Sequence, residues 1–108
     1  MTFVRKRTKT VEWPVIVNVP ADGGDFTEEK FTAHFRNIGR ADFNKLAAQG
    51  DDSLIEAVLI GWGDMSDEDG KEILFSAATL KEQLDDYHWV QGTIAAYLEM
   101  LNGAKRKN

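Results

Sequence analysis

The sequence predicts an α+β domain: an N-terminal antiparallel β-hairpin followed by about four α-helices. Three observations carry that prediction. Apolar residues recur every second position in the first third of the chain, then at helical spacing after Gly39. Glycine, proline and aspartate gather where the period changes. At 108 residues the chain is too short for two independent cores.

The elements follow in order. Val11, Trp13, Val15, Val17 and Val19 alternate with Glu12, Pro14, Ile16, Asn18 and Pro20, the pattern of a half-buried strand rich in β-branched residues. Pro14 has no N–H to give, which assigns the strand to a sheet edge or an outward-facing donor position. Residues 21–25, with Gly23 and Gly24, form a turn. Alternation returns with Phe31, Ala33 and Phe35 against Thr32, His34 and Arg36, completing a hairpin with one apolar face. Residues 2–10 are either a third strand or a loose arm.

Residues 40–49 read as a short helix with Phe43, Leu46 and Ala47 on one side and Gly50 as its stop. Asp51 or Asp52 caps a second helix, with Leu54, Ile55, Val58 and Leu59 on one face and an end at Gly61, Trp62 and Gly63. An acidic loop over residues 64–72 leads to Ile73, Leu74 and Phe75, a short extended segment. Ser76 caps a helix to about Asp85, with Leu80 and Leu84 inward. A last helix from about Asp86 to Asn102 carries the stripe Val90, Ile94, Tyr97, Leu98 and Leu101, and Gly103 stops it. Residues 1–10 are thus a basic N-terminal arm or edge strand, 11–103 the single domain, and 104–108 a basic C-terminal tail.

Charge is unevenly distributed. The net charge is −5, yet the first ten residues hold four bases and the last five hold three. Residues 51–86 alone contain 11 acids and 2 bases, or −9. Such a body repels phosphates, so nucleic acid is not the expected partner. The basic ends are solvated, or dock on an acidic partner or on the body itself. No apolar run reaches the roughly 18–20 residues that span a bilayer, and no secretory signal opens the chain. The absence of cysteine excludes disulfides, thiol nucleophiles and thiolate metal sites, and fits a reducing cytoplasm.

Chemistry-bearing patterns are few. His34 and His88 have no partner histidine at helical spacing, and no serine sits in a nucleophile elbow. Asp67, Asp69 and Gly70 match three positions of a calcium-binding EF-hand loop. Met65 and Ser76 fall where its first carboxylate and bidentate glutamate belong, so the loop reads as a solvated turn. No catalytic, cofactor-binding or metal-binding residue is nominated, and the expectation is a protein that is not an enzyme. What remains is a surface for a partner. Trp13 is expected in the core. Trp62 is either a plug closing the second helix or an exposed anchor, and Trp89 is either core or interface. Ile60, Trp62, Met65, Trp89 and Tyr97 are the candidate partner-binding residues.

The run Ile60-Gly61-Trp62-Gly63-Asp64-Met65-Ser66-Asp67-Glu68-Asp69-Gly70, followed by Leu74-Phe75-Ser76 and Leu80, resembles the tail assembly chaperones of long-tailed bacteriophages. That family carries a Gly-Trp pair, an acidic turn ending in glycine, and a short Pro-Phe-Ser before the next helix; Leu74 stands where its proline often is. The segment from Phe31 to Arg36 with Arg40, Ala41 and Asp42, and the tail from Asn102 to Asn108, are also similar, so the likeness extends over about residues 11–108. The resemblance implies a chaperone that coats the tape measure protein in the host bacterial cytoplasm, helps recruit tail tube subunits, and is absent from the mature virion. The shorter form of a protein often also made by ribosomal frameshifting is implied, with weak self-association among its contacts. Two other readings stay open, a structural tail component retained in the virion and an acidic DNA-mimic inhibitor.

Overall fold

A computed structural model describes residues 9–103. Strand β1 (Thr10–Pro20) and strand β2 (Phe26–Arg36) form an antiparallel hairpin, paired from Thr10 with Arg36 to Pro20 with Phe26. A 3-10 turn at Asp22–Gly24 joins them, with Gly23 and Gly24 in the left-handed region that favours glycine. The second strand therefore starts five residues before Phe31, where its alternation begins. Phe26 to Lys30 are all exposed, so no buried face marks them as strand; pairing with β1 alone holds them extended.

Helices α1 (Arg40–Gln49) and α2 (Asp51–Val58) follow, with Gly50 between them at a φ of 122°. The chain then departs from the sequence expectation. The second helix does not run to Gly61; it stops at Val58, and Leu59–Gly63 forms strand β3 against β2. The sheet order is β1-β2-β3, so its third strand comes from this segment. The alternative third strand at residues 2–10 lies outside the described residues except at its last two, of which Thr10 begins β1. The helical stripe misled because Leu59 continues the apolar face of α2 while its backbone is already extended, at φ −91° and ψ 110°. The two glycines around Trp62 also carry no helix propensity to oppose the change.

Strand β3 contains a bulge. Trp62 pairs with Ala33, Gly61 with His34, and Leu59 with Phe35, so the register skips Ile60. Leu59 and Trp62 are three apart, and strict alternation would put them on opposite faces. The extra residue restores both to the core face and leaves Ile60 outside.

Helices α3 (Ala77–Leu84) and α4 (Tyr87–Asn102) complete the domain. Residues 73–75 form no strand; an isolated bridge pairs Ser66 with Glu72, and the Ile73 N–H donates to the Met65 carbonyl at 2.8 Å. Ser76 caps α3 reciprocally with Thr79, and Asp86 caps α4 by accepting from the His88 and Trp89 amides. Helix α4 packs chiefly on β1. Its buried face is Trp89, Val90, Gly92, Thr93, Ala96 and Tyr97, whereas Leu98 is exposed and Ile94 and Leu101 are half-buried. The expected stripe is therefore rotated toward small residues. Gly92 is the reason: a Cβ there would lie 2.6 Å from the Ile16 carbonyl, so the helix approaches the β1 backbone closely. That carbonyl faces α4 at the sheet edge. Pro14, of the same parity, thus has its missing donor on the outer side, away from β2.

Candidate functional site

A groove of about 930 Å³ lies between α2, β3 and α3. Each wall follows from a local sequence feature. Helix α2 turns Leu54, Ile55 and Val58 into the core, which leaves Asp52 and Glu56, four residues apart, together on its outer flank. The bulge sends Ile60 outward beside Leu59. On the far side, Leu80 and Leu84 of α3 form the apolar wall, with Lys81 and Asp85 at its rim.

The lip of the groove is pinned by hydrogen bonds. Trp62 Nε1 donates to the Ile73 carbonyl at 2.7 Å, and the Thr79 hydroxyl donates to the Leu74 carbonyl at 2.7 Å. The Ser76 amide donates to Thr79 Oγ1 at 2.8 Å, and the Thr79 amide donates to Ser76 Oγ at 3.1 Å. Phe75 is held edge-on to Trp62, their ring centroids 4.8 Å apart, and lines the groove. Leu74 beside it remains 68% exposed.

The five candidate partner-binding residues separate sharply. Ile60 is 44% exposed and lines the groove, whereas Trp62, Met65, Trp89 and Tyr97 are each at most 8% exposed. These four therefore present little or no side-chain surface to a partner in this conformation. The exposed-anchor reading of Trp62 gives way to the plug, although the element it closes is a strand. Trp62 sits edge-on to Phe31, Phe75 and Trp89, while Phe31 stacks on Trp89 with centroids 5.6 Å apart. Burying such aromatics contributes about 1.5–3 kcal/mol each. Trp89 Nε1 has no hydrogen-bond partner among the described residues, an uncompensated donor inside this cluster. Trp13, expected in the core, is half-buried against it.

Tyr97 anchors the other end of the core. Its hydroxyl donates to the Arg36 carbonyl at 2.9 Å, and its ring lies edge-on to Phe35. Burial raises its phenol above the ordinary value, and the Ile38 backbone and the Arg36 charge pull it partly back.

The acidic loop is a solvent-exposed turn. Asp67 Oδ1 accepts from the amides of Asp69 and Lys71, both at 2.9 Å, so one carboxylate organises the bend. Asp64, at a positive φ of 62°, accepts from the Thr32 hydroxyl at 3.0 Å and fixes where the loop leaves β3. No group of three or more histidine, aspartate or glutamate side chains is gathered for a metal ion among the described residues. His34 lies half-buried over Gly61, and His88 is half-buried near the start of α4.

Two smaller concavities lie elsewhere on the surface. One of about 590 Å³ lies beside β1 and α4 and includes Ile16, the exposed Phe26 and Ala95. The other, about 120 Å³, includes Met65, Gln83 and Trp89. No helix among the described residues is long and apolar enough to cross a membrane.

The main groove offers apolar contact bordered by three carboxylates and one ammonium. Its lining contains no serine, histidine or tyrosine. Of the residues that build it, sequence reasoning nominated only Ile60. The Asp52–Glu56 spacing was a signal for one charged flank, but which helix faces the bulged strand depends on tertiary packing. A scan against models of known protein families, a search of curated proteins and a search of solved structures each find no match.

Proposed function

We propose that the chain is a phage tail assembly chaperone: a non-catalytic, acidic cytoplasmic domain that covers the apolar helices of a tape measure protein until tail tube subunits replace it. The observation that carries this reading is the ordered run from Ile60 to Leu80, similar to the family along its length. Its physical support is that the same run builds one unit. The Gly-Trp pair becomes a bulged strand plugged by Trp62, the acidic turn follows, and the Phe-Ser pair becomes a groove lip and a helix cap.

A chaperone of this kind needs apolar contact for its client and charge to keep the coated client dispersed. The groove supplies the first and the −9 segment the second. Many weak copies along one client would hold it soluble and still release it to tube subunits. No cofactor or metal enters this account.

The test uses the phage or prophage that encodes the chain. Loss of the gene should leave filled heads without tails, and mass spectrometry of purified wild-type virions should not detect the chain. Stoichiometric recovery from virions would overturn the reading in favour of a retained tail component.

A further inference from the structure

We propose that the groove between α2, β3 and α3 takes an amphipathic helix whose apolar face is flanked by lysine or arginine. Two features converge. The floor and walls are apolar: Leu59, Ile60, Phe75, Leu80 and Leu84 form one surface. The rim is acidic, with Asp52 and Glu56 on the α2 side and Asp85 on the α3 side against Lys81 alone. A ligand helix that buries its apolar stripe there therefore brings its flanking positions against net negative charge, and basic residues complete the pairing.

The occupant is a helix rather than an added strand for a structural reason. Strand β3 is five residues long and its bulge falls at Ile60, on the groove side. A short, bulged edge twists away from further pairing. The side walls are instead helices, between which apolar anchors spaced three and four residues apart can seat. This deepens the chaperone reading and rests on it for who supplies the helix; the recognition chemistry itself rests on the groove.

The probe is a labelled synthetic helix with leucine on one face and lysine on both flanks, and its counterpart with glutamate in place of lysine. Binding to the full chain is read by fluorescence anisotropy. The lysine probe should bind, and the glutamate probe should bind at least about tenfold more weakly, a difference of about 1.4 kcal/mol. Ile60→Asp should weaken the lysine probe about tenfold. Asp52→Lys/Glu56→Lys should reverse the preference between the probes. Asp67→Lys/Asp69→Lys in the loop is the control for general acidity and should change binding less than about twofold.

Equal losses from the loop and rim variants would overturn the proposal, because binding would then be unlocalised attraction. No loss on Ile60→Asp in a chain with an unchanged melting transition would overturn it as well. Removal of residues 1–8, whose Phe3 and Val4 precede Arg5, Lys6 and Arg7, checks a rival occupant. Unchanged affinity supports the proposal, and a tenfold gain would assign the groove to the chain's own arm. A groove that binds the lysine probe while the tape measure protein stays insoluble would sink the chaperone reading and leave the recognition chemistry standing.

Discussion

Trp62 and Trp89 belong to one aromatic cluster but differ in how their indole N–H groups are served. Trp62 donates to the Ile73 carbonyl, and Trp89 has no partner among the described residues. Replacing Trp62 by Phe removes a good hydrogen bond and leaves a carbonyl behind, whereas replacing Trp89 by Phe removes an uncompensated donor. We expect Trp62→Phe to cost at least about 1 kcal/mol more than Trp89→Phe. Thermal melts should then separate the variants by roughly 4–8 °C. Equal melting temperatures would mean that the Ile73 bond contributes nothing.

Gly92→Ala should be destabilising by about 1–3 kcal/mol from overpacking, even though alanine favours helix by about 1 kcal/mol. A variant that melts higher than the wild type would contradict the close approach of α4 to Ile16. Tyr97→Phe adds a pH signature. The folded phenol is raised, so its contribution is complete below about pH 10, the unfolded value, and is lost as pH rises through the folded value. The stability gap between wild type and Tyr97→Phe should shrink above about pH 10 in denaturant titrations. A gap that widened there would show the sign to be wrong.

At the scale of elements, the bulge in β3 is the most consequential feature. Deleting Ile60 would remove the bulge and leave Leu59 and Trp62 two positions apart, where strict alternation keeps both on the core face, so the variant should retain a cooperative transition. Ile60→Ser keeps the residue count and should change stability by no more than about 0.5 kcal/mol. Circular dichroism melts compare the two, and a deletion variant without a cooperative transition would refute the register argument.

The same strand marks where sequence reading failed. Fold class, the hairpin, the four helices, the cap at Ser76 and the stop at Gly103 were legible because each has a local cause: period, side-chain oxygen or a glycine at positive φ. Strand β3 has its cause elsewhere, in the β2 edge it pairs with, and its apolar residues mimic the end of a helix. The exposed first half of β2 was missed for the same reason. The face of α4 was misassigned because large residues attract attention while Gly92 and Ala96 make the contact. Site residues suffered most. Aromatics chosen as anchors became core, and the groove is made from residues that look ordinary until three elements meet.

At the scale of the molecule, an apolar groove sits on a strongly acidic body. The chaperone account joins these features: contact for a client, and charge that keeps the complex soluble. The most direct measurement is co-expression of the chain with the tape measure protein that the proposal makes its client, followed by the soluble yield and the mass of the purified complex. The account predicts a soluble complex with several copies of this chain per client, reduced by Ile60→Asp. A client that precipitates equally with and without the chain, while the folded chain elutes alone, would contradict it.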